Sequence, residues 1–206
     1  MLTSKAKESP FKPDEMHSLY SIAQSLLREA DYGELLADLL DLTIKAVGAE
    51  RGFILARENG KVQASIARNF RSEALRGIEE EVSSSIAEMV LREGKALLIS
   101  DASTSAQFRN RESVRRLELR SVLCAPVMMS SETIALIYLD NRDISGCFTE
   151  DHRRLLDEIC ALSSPRLRVA VSFQQAKKRA AELESSFGSL DGIVTADEKM
   201  SALLNL

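Results

Sequence analysis

Apolar residues recur along the chain with two different periods, and the changes of period divide it into elements. Residues 1–13 are polar, hold Pro10 and Pro13, and are expected to form a disordered lead-in. From Asp14, a candidate N-cap, Leu19, Ile22, Ala23, Leu26 and Leu27 return at helical spacing. Asp31 is the candidate cap of a second helix. Its Leu35, Leu36, Leu39, Leu40, Leu42, Ile44 and Val47 cover more than one face, and Gly48 ends it. GFILARENGKVQASIAR then reads as a hairpin turning at Asn59-Gly60, with Phe53, Leu55, Val62, Ala64 and Ile66 on one inward face. Ser83 to Glu93 reads as a helix with Ile86, Met89 and Val90 inward and Gly94 closing it. Ala96 to Ile99 is a short strand, Ser100 to Asn110 a polar loop, and Ser113 to Leu117 a short helix. Ser121 to Met129 and Thr133 to Leu139 are two further strands, and Pro126 in the first calls for an edge or a bulge.

From Thr149, a good N-cap, the pattern is helical to the end of the periodic region. Leu155, Ile159, Leu162, Arg166, Val169, Phe173, Ala176, Ala180 and Leu183 follow at alternating steps of four and three, a heptad seam. Pro165, just before the one charged entry, predicts a kink or local break. A helix this long cannot bury its far half on a domain of this size, so it is expected to pair with its copy in a homodimer. Leu155, Ile159, Leu162, Val169 and Phe173 would form the seam. The element order gives an α/β (α+β) fold. Its sheet is central and antiparallel, with the terminal helices on one face and the loops and short helices of the middle region on the other.

Composition narrows the function classes. The 206 residues hold 27 Lys+Arg against 31 Asp+Glu, a formal net charge of −4, which argues against a nucleic-acid-binding footprint. A chain of this length buries about 70% of its unfolded surface and needs no disulfide or metal to fold. Cys124, Cys147 and Cys160 are odd in number and have no CxxC spacing, so free thiols in a reducing cytoplasm are expected. No apolar run reaches the roughly 20 residues of a membrane span, and the N-terminus lacks the apolar stretch of a signal peptide. The only histidines, His17 and His152, start different terminal helices, which gives no basis for a nucleophilic triad. No phosphate loop of the GxxxxGK[ST] type and no cluster of metal ligands is present, so no catalytic or metal residues are assigned.

An ordered series of segments carries more information. Gly-Ala-Glu-Arg-Gly at 48–52, Ser-Asp-Ala at 100–102, Phe-Arg at 108–109, Arg-Ser-Val-Leu-Cys-Ala-Pro-Val at 120–127, Leu-Asp-Asn-Arg at 139–142 and Phe-Thr-Glu-Asp at 148–151 together resemble the GAF family of sensor domains. The resemblance runs from about Leu19 to Phe173 and implies a sensor domain over residues 14–175, with a small ligand between the sheet and the middle loops. Residues 176–187 would then be a helical signalling linker. SFGSLDGIVTADEKMSALLNL at the C-terminus resembles the entrance to the AAA+ domain of sigma-54-dependent transcriptional activators. Ile193, Val194, Met200, Leu203 and Leu204 match, and Thr195 stands where glycine is usual. On this resemblance residues 188–206 are the start of a truncated AAA+ domain, which itself neither hydrolyses ATP nor binds DNA.

The resemblance places the pocket. Phe108 and Arg109 are expected at its rim with Asp101 opposite, and Phe53, Leu123 and Tyr138 on its apolar floor. The guanidinium groups of the 100–120 stretch suit a small anionic ligand, and no cofactor is otherwise implied. Arg115, Arg116 and Arg120 read rather as a solvated helix face. The free N–H groups after Ser84 and Ser85 suit an anion, and the serines also serve as plain caps. Cyclic-nucleotide-binding members carry Asn-Lys, then Phe, then an acidic pair; here Arg142 replaces the lysine and His152 stands where the acidic pair is expected. Cys124 in an apolar strand reads as a buried thiol, and Cys147 in a loop as the more accessible one, with a redox sensor as the alternative. The expected function is small-molecule sensing that controls the activator's ATPase through a dimeric helical linker. The alternative, from a different class, is a ligand-free dimerisation and protein-docking module.

Overall fold

A computed structural model describes residues 10–28, 30–58, 61–75 and 81–194. In chain order the elements are α1 (Pro13–Leu27), α2 (Tyr32–Val47), β1 (Arg51–Glu58), β2 (Lys61–Asn69), α3 (Ser84–Glu93), β3 (Leu97–Ile99), α4 (Glu112–Arg116), β4 (Ser121–Met129), β5 (Glu132–Asn141) and α5 (Glu150–Val194). The five strands form one antiparallel sheet in the order β2-β1-β5-β4-β3. The Asn59-Gly60 turn, most of the lead-in and residues 195–206 lie outside the described residues. By contacts the chain divides into a compact unit, Met1–Arg168, and a second unit, Val169–Leu206, which over its described part is helix.

Local chemistry sets the helix ends. Asp31 caps α2, its carboxylate accepting from the Glu34 N–H at 2.8 Å, and Gly48 closes the helix in the left-handed conformation at φ 68°. The N-cap of α1 is Lys12 rather than the expected Asp14, so the helix begins two residues earlier. Pro13 occupies its first position, where the missing N–H costs nothing, and the Glu15 carboxylate accepts from the Lys12 N–H at 2.7 Å. The Thr149 hydroxyl accepts from the His152 N–H and opens α5. The break expected at Pro165 does not occur: α5 runs through it as continuous α-helix to Val194, past the expected linker end at 187. Beside the proline the Ser164 hydroxyl ties the helix to the Met128 carbonyl, and the Ser163 hydroxyl donates to the Cys160 carbonyl.

Alternation along the strands creates two faces. Cross-strand partners share a face, so Arg51, Asp140 and Val122 form one row and Phe53, Tyr138 and Cys124 the next. α3 covers this face over β4 and β5. Gly52, Leu139 and Leu123 form a row on the opposite face. There α2 packs so closely that a Cβ on Gly52 would lie 2.8 Å from Leu40 Cδ1 and 2.9 Å from Ile44 Cγ1 and Leu139 Cδ2. A bulge between Ile54 and Leu55 alters the expected hairpin face. Phe53 pairs with Ala67 and Ile54 with Ile66, so Ile66 stands on the α2 face rather than beside Phe53. Pro126 sits where β4 outruns the three-residue β3 and one residue before the register shift at Val127/Met128, so both expected settings are met.

The seam residues separate into two groups. Leu155 and Ile159 are fully buried inside the first unit, which corrects their assignment to a dimer seam: the first turns of α5 spend their apolar stripe on the domain's own core. Leu162, Val169 and Phe173 are exposed at 44%, 61% and 67%, and Leu183 is exposed as well. No helix among the described residues is long and apolar enough to cross a membrane.

Candidate ligand site

The sheet face under α3 carries the chemistry. Phe53 and Tyr138 meet edge to face, ring centres 5.9 Å apart, and the Arg51 guanidinium lies 5.7 Å from the Phe53 ring centre. With Ile86, Met89, Phe108 and Cys124 they belong to one continuous buried cluster.

At the end of this face the apolar rows give way to charge. Arg51 Nε and Nη2 donate to Asp140 Oδ1 and Oδ2 at 2.9 and 2.8 Å, a two-point pair in which the side chains are 8% and 0% exposed. Arg51 Nη1 and Arg142 Nη2 both donate to Glu81 Oε2, at 2.7 and 2.5 Å. Burial pushes Asp140 up to about 6 against the pull of Arg51. Burial also works upward on Glu81, but Arg142 and Arg51 outweigh it and hold its carboxyl below the usual glutamate value. Arg142 is anchored through its backbone N–H on Glu50, and its Nε is buried without a hydrogen-bond partner. An unsatisfied buried donor of this kind costs about 1–3 kcal/mol.

Two residues beyond Glu81, Ser83 begins a knot of three hydroxyls. Ser83 Oγ lies 2.9 Å from Ser113 Oγ, and Ser85 Oγ lies 3.2 Å from each of them. Ser83 is the N-cap of α3 but its side chain makes no capping bond there; it is tied instead to Ser113, the second residue of α4. The Tyr138 hydroxyl is fully buried and lacks a hydrogen bond of ordinary geometry. Its pKa is driven well above the usual tyrosine value, by burial first and by Asp140 next, with the Ser83 backbone amide and Arg51 opposing.

The six pocket residues expected from sequence divide. Phe53, Tyr138 and Phe108 come together in the cluster. Leu123 stands on the opposite face in the Gly52 row, because its neighbour Cys124 takes the inward position. Asp101 spends its carboxylate within its own loop, accepting from the Ser103 N–H at 2.9 Å and hydroxyl at 2.6 Å; the Ser103 hydroxyl is the main cause of its lowered pKa. Arg109 is exposed. Among the described residues, open clefts of about 770, 430 and 680 Å³ lie elsewhere, and none of the six residues lines these three.

The sequence names Arg51, Asp140 and Arg142 only as members of the motifs at 48–52 and 139–142, with Arg142 also a departure from the cyclic-nucleotide pattern, and gives Glu81 no role. The available signal was period two: Arg51 and Phe53, like Tyr138 and Asp140, place charge and aromatic rings on one face of otherwise apolar strands, and Arg142 follows directly after β5. His17 lies exposed on α1, and the His152 ring nitrogen Nδ1 is buried without a partner near the start of α5. Among the described residues, no three His, Cys, Asp or Glu side chains are placed to hold a metal ion. Burial raises the pKa of all three thiols.

Comparison with known proteins agrees with the architecture. The GAF domain A. aeolicus nlh2, solved in an inactive state, superposes with a TM-score of 0.56 at 18% identity, over 76% of this chain and 96% of that one. The GAF domain of an Acinetobacter phosphoenolpyruvate-protein phosphotransferase gives 0.60 at 16% identity, over 79% and 97%. A free methionine-R-sulfoxide reductase from Neisseria meningitidis, solved with its substrate, gives 0.55 at 15% identity, over 80% and 95%. No curated protein sequence matches the chain. The sequence profile of the GAF domain matches residues 31–165, which span α2 through the Pro165 turn of α5, so the chain belongs to the GAF domain family.

Proposed function

We propose that the chain is the small-molecule-sensing region of a sigma-54-dependent transcriptional activator and works as a homodimer in the cytoplasm. GAF domains are regulatory, sensor-type domains of signalling proteins. The observation that carries the sensing reading is the charged end of the α3 face, where Arg51, Glu81, Asp140 and Arg142 meet beside the Tyr138 hydroxyl and the three serines. Charge buried this deeply costs stability unless it is paired. The ligand class it suits is a small anion. In this reading residues 14–175 form the sensor and 176–187 the linker. Residues 188–206 begin an AAA+ module, on the strength of the C-terminal sequence.

Ligand binding shifts a population between two closures of the α3 face, and α5 carries the difference toward the ATPase. A ligand with equal affinity for both closures would shift nothing. Leu162, Val169 and Phe173 supply the dimer contacts. Inserting one or two residues after Ala176 in the full-length activator rotates everything downstream relative to the sensor. ATPase activity should then no longer respond to effector, and intact regulation would refute the relay.

The buried cluster around Phe53 and Tyr138 favours a second reading, a ligand-free dimerisation and docking module. There the core would be filled by its own side chains, and α5 alone would carry function.

A further inference from the structure

We infer that Arg51 and Arg142 form a binding site for a small oxyanion, a carboxylate or phosphate, which Glu81 occupies as a tethered competitor. The inference deepens the sensing reading and rests on it for its regulatory meaning, not for the binding itself.

One guanidinium comes from the first residue of β1 and the other from the residue just after β5, and they converge on a single oxygen, Glu81 Oε2. Arg51 is preorganised for this. Asp140 holds its Nε and Nη2 on one side, and the remaining corner, Nη1, points at Glu81. Arg142 is fixed by its own backbone. Its N–H donates to Glu50 Oε2, and the Asn141 side chain accepts from the Asp143 and Ile144 N–H groups, which turns the chain sharply behind it. Asp140 answers Arg51 with both of its oxygens, whereas the described hydrogen bonds of the Arg142 guanidinium go to Glu81 alone, and Glu50 meets that residue only at its backbone N–H.

Glu81 answers the Arg142 charge incompletely. It engages Nη2 of Arg142 and leaves the Nε–H of the same guanidinium buried and unpaired. A free oxyanion with two or more oxygens matches the guanidinium fork, taking Nε and Nη2 together, and still reaches Arg51 Nη1. Glu81 is also the exchangeable member. Its side chain is 34% exposed against 8% for Arg51 and 0% for Asp140. It lies outside the sheet, three residues before α3, so displacing it leaves the Arg51–Asp140 pair intact and frees the entry to α3.

The test compares the intact chain with Glu81→Gln and Glu81→Ala, each checked for fold by far-UV circular dichroism. Inorganic phosphate and acetate are titrated separately at constant ionic strength, with NMR detection of the arginine Nε–H signals. Both variants should bind at least one of the two anions at least tenfold more tightly than the wild type, with the Arg142 Nε–H signal moving on binding. Adding Arg142→Gln to Glu81→Ala should abolish the gain. A gain with phosphate only, or with acetate only, supports the site and names its oxyanion. Equal affinities in wild type and both variants, or a gain that survives Arg142→Gln, would overturn it. Glu81→Gln keeps the volume and an acceptor oxygen, so the comparison stands even where alanine unfolds the chain. Hydrogen exchange along α5, followed in the same titration, separates the two ideas. Tighter binding with unchanged exchange leaves the anion site standing and removes the relay. Absence of tighter binding removes the anion site and leaves the relay to the insertion experiment.

Discussion

Replacing Asp140 with alanine removes one half of the most deeply buried ion pair described in the domain. Its carboxylate is fully buried and makes two hydrogen bonds to Arg51, whose side chain is 8% exposed. Removing one partner of such a pair costs about 3–5 kcal/mol, because the other charge stays buried without its counterion. Glu81 still accepts from Arg51 Nη1, which favours the lower end of that range. For a chain of this size about 3 kcal/mol lowers Tm by roughly 6–12 °C. The double variant Arg51→Met/Asp140→Leu takes away both charges and keeps the apolar volume. It should lie within about 1 kcal/mol of the wild type or exceed it. The assay is urea unfolding followed by far-UV circular dichroism, since the chain has no tryptophan. It is run near pH 8, above the Asp140 pKa of about 6, so that the pair is ionised. A loss below about 1 kcal/mol for Asp140→Ala, or a double variant as unstable as the single one, would refute the reasoning.

Three further outcomes follow from the packing and the charges. Gly52→Ala forces a methyl to within 3 Å of side-chain atoms of Leu40, Ile44 and Leu139, and should cost about 1–3 kcal/mol in urea unfolding; an unchanged midpoint would contradict the tight seating of α2 on β1. Burial holds the Cys124 and Cys160 thiols protonated and raises Cys147 less completely, so a thiol reagent at pH 8 should label Cys147 slowly and the other two only on unfolding; rapid labelling of Cys124 would revive a redox role. Glu81 has a folded pKa below its ordinary value, so its contribution to stability is complete above the usual glutamate range and is lost as pH falls through the folded pKa. Stability of the wild type should therefore fall more steeply below about pH 4.5 than that of Glu81→Gln, and parallel pH profiles would show that Glu81 is not held by the two arginines.

The elements were legible because each is written twice, once in its period and once in its ends. Asp31 and Gly48 bracket α2, Gly94 closes α3 at φ 60°, and Thr149 opens α5, all as the sequence chemistry requires. Faces were harder to read. The Ile54/Leu55 bulge moved Ile66 to the α2 side, and the inward position of Cys124 put Leu123 on the far face. A single strand's alternation does not say which parity points to which layer when both faces are buried. The heptad stripe hid a change of partner in the same way. Leu155 and Ile159 satisfy the spacing as well as Val169 and Phe173 do, yet only the latter are left exposed. The charged end of the site was missed for a related reason. Arg51 and Asp140 are 89 residues apart, and only the β1–β5 register places them opposite each other.

The central claim is that the chain is a ligand-holding dimer whose α5 helices pair beyond the sensor. Native mass spectrometry of the freshly purified protein, set against its denatured mass, tests both halves at once. The account predicts a dimer carrying added mass that is lost on denaturation, with Phe173→Asp reducing it to a monomer. A wild-type species of one chain, with no added mass, would contradict it.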